Sequence, residues 1–165
     1  MTGTTKGQPV KLHALLDETL VLPRLAARDR EGVLREMAGT LAGRHAGRLD
    51  EALIDKLLKR EELGTTAIGK GVAVPHCRAA GIKSPLLLLG LSRDGVPFAA
   101  MDGKLSHAFF LLVSPEDNPA AGLRLLAAIA ALARTSRGLS SKLLKAPTPA
   151  DVLEVLRAEE EKPRG

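Results

Sequence analysis

Two short runs, residues 86–91 and 108–113, hold almost nothing but apolar side chains, and they constrain the fold more than any other feature. A strand with one wet face alternates apolar and polar residues, whereas an unbroken apolar run fits a strand buried on both faces. Such strands need a layer on either side. The chain offers helical patterns before and after them. Asp29 is placed to cap a helix with Val33, Leu34, Met37 and Leu41 on one face, and Asp50 to cap a second with Leu53, Ile54, Leu57 and Leu58. The last third reads as helices over 120–133, 139–145 and 150–161, with Pro147 and Pro149 as stop and start. A short helix at 12–16 and a short strand at 19–23 precede these, and the small, β-branched and glycine residues of 64–76 fit short strands about a tight turn. Asp94-Gly95, between the apolar runs, has hairpin-turn chemistry. The expected architecture is α/β, a mixed β-sheet with helices on both faces. One domain is expected over 10–157, between a disordered N-terminus (1–9) and a frayed tail (158–165).

Composition excludes several functions. With three Phe and neither Tyr nor Trp, the core must be aliphatic, and the stacking platforms of single-strand nucleic-acid binders are missing. The formal net charge is +5, but acidic and basic residues are mixed, and no Lys/Arg run marks a nucleic-acid surface. The longest apolar runs, 85–91 and 125–133, fall short of the ~20 residues that cross a bilayer, so no membrane insertion is expected. The single cysteine, Cys77, allows no internal disulfide, and the first residues lack a signal-type apolar stretch. The expected location is cytoplasmic.

Chemistry concentrates in Gly-Lys-Gly-Val-Ala-Val-Pro-His, residues 69–76. The glycines permit left-handed backbone and close approach; Pro75 holds Val74 extended. His76 then ends the short strand Val72-Ala-Val, ahead of a loop over 77–81. Near neutral pH a large fraction of such an imidazole is uncharged, and its free nitrogen is a competent phosphoryl acceptor. Arg60, the Thr65 and Thr66 hydroxyls, and the amides of the glycine-rich turn are candidate partners for the phosphoryl oxygens. By itself the pattern also describes a surface histidine beside a turn, ordinary strand threonines and a solvated helix charge. Cys77 reads as a small loop residue: adjacent residues do not converge on one ion, and no zinc-spaced set surrounds it, so neither metal nor cofactor is expected.

Residues 60–76 as a whole resemble the phosphorylation-site signature of enzyme IIA domains, in the fructose/mannitol and nitrogen-regulatory class of the bacterial phosphoenolpyruvate:sugar phosphotransferase system. The resemblance continues through Pro97–Gly103, His107–Pro115 and the leucine-rich helix beyond, and covers about residues 10–157. It implies an α/β sandwich in which His76 is phosphorylated by the histidine phosphocarrier protein, with Arg60, Thr65 and Thr66 lining the pocket. The chain departs from the family at one place: a second pocket histidine, common at the start of that helix, is replaced by Gly122. His107 matches the start of the preceding strand and reads as a strand-edge residue; His13 and His45 read as solvated.

The resemblance leaves a choice of role. One is a phosphocarrier serving regulation, favoured by the absence of any fused permease, sugar-specific or phosphocarrier domain. Another is a sugar-specific enzyme IIA passing phosphate to a separate enzyme IIB; a third is an interaction protein that is no longer phosphorylated.

Overall fold

A computed structural model describes residues 10–45 and 52–163. Short 3-10 helices, Leu12–Leu15 and Glu18–Leu20, lead into strand β1 (Val21–Leu22), followed by helices α1 (Arg30–Arg44) and α2 (Ala52–Glu62). Strands β2 (Ala67–Gly69), β3 (Val72–Ala73), β4 (His76–Ala79), β5 (Leu86–Val96) and β6 (Ser106–Pro115) come next, then α3 (Pro119–Thr135), α4 (Leu139–Lys145) and α5 (Pro149–Glu161). The strands form one mixed sheet in the order β1-β5-β6-β3-β2, with β4 also on β6. Only the β5–β6 and β2–β3 pairs are antiparallel.

Parity along the apolar runs divides the core, as strands buried on both faces require. Ala108, Phe110 and Leu112 of β6 pack with α3, α4 and α5, through Leu125, Ile129, Leu143 and Leu156. Phe109, Leu111 and Val113 pack with α1 and α2, through Leu34, Met37, Leu41 and Leu57. Each fully buried side chain of this kind stabilises the fold by about 1.5–3 kcal/mol relative to exposure. The α/β sandwich with a mixed sheet expected from the sequence is the one observed.

The Asp29 cap is also present: its carboxylate accepts from the Gly32 amide at 2.7 Å. Asp29→Ala is expected to cost about 1 kcal/mol, the ordinary value of an N-cap, measurable by urea unfolding. The companion cap at Asp50 lies outside the described residues, as does segment 1–9.

Three expectations need correction. Asp94-Gly95 is no hairpin turn: β5 continues to Val96, its register with β6 shifts between Leu91 and Val96, and Gly95 has φ +83°. Bulge and turn demand the same left-handed glycine, and the cross-strand pair Val96–Ser106 decides between them. The chain reverses over 97–105. Second, α5 holds its order past residue 158, because Glu160 accepts from the Leu12 and His13 amides at 2.6 and 2.9 Å and Glu159 is buried. Third, residues 77–79 are strand rather than loop. The β6 register is unchanged across Pro75, with Val72 opposite Ala108 and His76 opposite Leu112. Pro75 gives up no ladder bond on that side, since its carbonyl accepts from the Leu112 amide at 2.9 Å. β3 and β4 thus make one straight line along β6.

Candidate functional site

That straight line decides where His76 points. Side chains alternate along an extended segment. Val72 and Val74 join the core beneath α3, whereas Ala73, Cys77 and Ala79 belong to the one beneath α1 and α2. His76 therefore continues the row of Val72 and Val74, at the sheet edge where α2 and α3 rise on opposite faces. The edge opens into a cleft of about 790 Å³ lined by His76, Arg60, Arg78, Ser114, Gly122 and Leu123, among others.

Among the described residues, the ring is held by one bond. His76 Nδ1 lies 2.8 Å from the Val74 carbonyl, which can only accept, so Nδ1 carries the proton and Nε2 keeps its lone pair. Burial lowers the His76 pKa below its ordinary value; the Val74 carbonyl opposes this, the Arg60 charge lowers it further, and Glu61 raises it. The net direction is downward, which favours a neutral ring with Nε2 available.

Of the sequence candidates, Arg60 shares the cleft with His76. It stands on the last turn of α2, where its Nη1 donates to the Gly64 carbonyl at 3.0 Å. Thr65 and Thr66 lie elsewhere. The Thr65 hydroxyl donates to the Phe98 carbonyl and accepts from the Ala67 amide at 3.0 Å. The Thr66 hydroxyl donates to Glu61 Oε1 at 2.6 Å, and its amide to Oε2 at 2.8 Å. Thr66 is buried and Thr65 partly so, and both hydroxyls have found their partners in the protein. The glycine-rich turn is likewise occupied at the far end of β3, where the Lys70 amide donates to Asp102 at 2.8 Å.

Two of the other histidines are bonded within the fold. His107 Nδ1 bonds to the Ser92 carbonyl at 2.9 Å, and His13 pairs with Glu160 at 2.8 Å rather than standing free in solvent. Burial pushes the Cys77 thiol up to about 11, which removes it as a thiolate nucleophile. At Gly122, a Cβ would stand 2.7 Å from Ser114 Cβ and Oγ, so α3 rests directly on β6 and any side chain there must displace Ser114.

Sequence reasoning missed Glu61. It is only 4% exposed, and it is the carboxylate that Thr66 binds. The Thr66 carbonyl accepts the Val74 amide at 2.9 Å, and the Val74 carbonyl holds His76. The signal was available: Glu61 follows Leu53 and Leu57 at four-residue spacing, on the buried face of α2. A carboxylate in such a row is there to bond.

Comparison with known proteins bears on the family and the fold. The family model for the phosphoenolpyruvate-dependent sugar phosphotransferase system, EIIA 2, matches residues 14–159. A nitrogen regulatory protein of Bradyrhizobium diazoefficiens is 37% identical over 114 residues, covering 69% of this chain and 74% of that protein. The fructose-specific EIIABC component of Bacillus subtilis is 27% identical over 149 residues; the match spans 89% of this chain but only 23% of that longer protein. Among solved structures, the nitrogen regulatory protein IIA-Ntr of Neisseria meningitidis superposes with a TM-score of 0.79 at 26% identity, covering 88% of this chain and 98% of that one. No helix among the described residues is long and apolar enough to cross a membrane. With residues 14–159 matched by the family model, the chain belongs to the EIIA 2 family of the phosphoenolpyruvate-dependent sugar phosphotransferase system.

Proposed function

We propose that this chain is a phosphohistidine carrier in which His76 Nε2 accepts a phosphoryl group from the histidine phosphocarrier protein. The observation that carries the reading is the 2.8 Å bond from Nδ1 to the Val74 carbonyl, in a partly buried ring beside Arg60. It selects the tautomer with a nucleophilic Nε2 and steadies the positive charge that grows on the ring during transfer. Arg60 keeps donors beyond the one given to Gly64 and supplies charge to the phosphoryl oxygens. Phosphorylation adds nearly two negative charges at an edge rimmed by Arg60, Arg78 and the exposed Leu63 and Leu123, enough to switch a protein interface. We place that switch in a regulatory role, a reading supported by the likeness to nitrogen regulatory proteins over most of their length. The likeness to a fructose-specific component supports a second reading, in which the group passes to an enzyme IIB.

The test is phosphotransfer from labelled phosphoenolpyruvate through purified upstream proteins. The expected product is a chain whose label is lost in acid and kept in alkali; an unlabelled chain would sink the carrier reading and leave an interaction protein. Arg60→Ala is expected to slow labelling by roughly 10- to 100-fold, the loss of one charge-assisted contact, in the same assay. Label that moves onward to an enzyme IIB would favour transport, and label that only alters capture of a target protein would favour regulation.

A further inference from the structure

Arg78 stands two residues beyond His76 on a strand whose register holds without a break from Val72 to Ala79. Val72, Val74, His76 and Arg78 therefore form one row on the α3 face, with same-face neighbours ~6.6 Å apart. Both His76 and Arg78 line the cleft. Of its other cations, Lys56 pairs with Glu116 at 3.4 Å and Arg60 donates to Gly64, while Lys59 stands on α2 and not on the histidine's own strand. Among the described residues Arg78 has no hydrogen-bond or ion-pair partner, and it is exposed. The floor beside it is low. Its register partner is Ser114, and Gly122 is seated on that serine. A guanidinium on this row can fold back over the histidine, and its planar fork matches two phosphoryl oxygens at once.

Resting on the carrier reading above, we infer that Arg78 is a further catalytic residue, clamping the phosphoryl group from the outer end of the row while Arg60 meets it from α2. In the step itself, the Nε2 lone pair of His76 forms the new N–P bond as the donor's N–P bond breaks. The donor ring keeps that electron pair, and the His76 Nδ1 proton stays on its bond to Val74. No proton leaves the site. What changes is negative charge on three oxygens in a cleft walled partly by leucine, where fixed cations act most strongly.

The experiment is single-turnover transfer from the phosphorylated phosphocarrier protein, with donor concentration varied, for wild type, Arg78→Ala and Arg78→Lys. Arg78→Ala is expected to lower the limiting rate by roughly tenfold or more with the half-saturating donor concentration little changed, and Arg78→Lys to restore part of it, as a point charge without the fork. A limiting rate equal to wild type, with only half-saturation weakened, would make Arg78 a docking residue and overturn the assignment. An unlabelled wild type would overturn the carrier reading and this one together; a labelled wild type with an unaltered Arg78→Ala rate overturns this one alone.

Discussion

His76→Ala is expected to take up no label at all in the phosphotransfer assay, a loss larger than any change to a neighbouring residue can produce. Donors that neutralise the phosphoryl group each contribute a factor, but only the nucleophile is indispensable. Among the described residues no other imidazole lines the cleft: His107 and His13 are bonded elsewhere, at 2.9 and 2.8 Å. Label that survives the substitution would show that the acceptor lies elsewhere. The same histidine carries a pH prediction. Protonation of Nε2 removes the lone pair, and burial together with the Arg60 charge disfavours that protonated form. The His76 ring should therefore titrate below the ordinary histidine value of 6.5, leaving it neutral and competent throughout the neutral range. Arg60→Ala removes one of the lowering influences, so the midpoint should move up. Ring titration by NMR reads both, and a wild-type midpoint at or above 6.5 would contradict the environment described.

What could be read in advance follows from which features act locally. The apolar runs at 86–91 and 108–113 declared strands buried twice over, and the parity of Phe109 and Phe110 between two cores bears that out. The Asp29 cap was legible because capping is settled within four residues. Turn chemistry at Asp94-Gly95 misled, because a left-handed glycine serves a bulge as well as a hairpin. The difference lies in a partner strand ten residues away, where Ser106 meets Val96. The site divides the same way. His76, the proposed acceptor, was visible as a pattern with the proline ahead of it. The fates of Thr65 and Thr66 were not, since they depend on Phe98 and Glu61, brought alongside only by folding. Reading residues 77–81 as a loop also hid Arg78, which shares a face with His76 only because Pro75 interrupts neither the strand nor its register.

Glu61 is where fold and site meet, and its removal should damage both. Its carboxylate accepts the Thr66 amide and hydroxyl at 2.8 and 2.6 Å in a buried setting. Glu61→Ala deletes two charge-assisted bonds and strands two buried donors, an expected loss of about 3–5 kcal/mol. For a chain of this size that corresponds to a fall of ~6–20 °C in Tm. A stability loss alone would show only that Glu61 is structural. The stronger expectation concerns the connection onward: Glu61 fixes Thr66, the Thr66 carbonyl fixes the Val74 amide at 2.9 Å, and the Val74 carbonyl selects the His76 tautomer at 2.8 Å. Glu61→Gln separates the two roles, because an amide of the same shape keeps the packing and both contacts, accepting from the Thr66 amide and donating its NH2 to the Thr66 hydroxyl oxygen, while the charge that strengthens the hold on Thr66 is removed. In this milder variant the ring nitrogens, observed by 15N NMR, should lose their pure Nδ1–H pattern, and phosphotransfer should slow with the loss of the nucleophilic Nε2. A Glu61→Gln protein that is less stable yet keeps the wild-type tautomer and transfer rate would reduce Glu61 to a core residue. A mixed tautomer with a proportionate drop in rate would establish it as the residue that positions the acceptor.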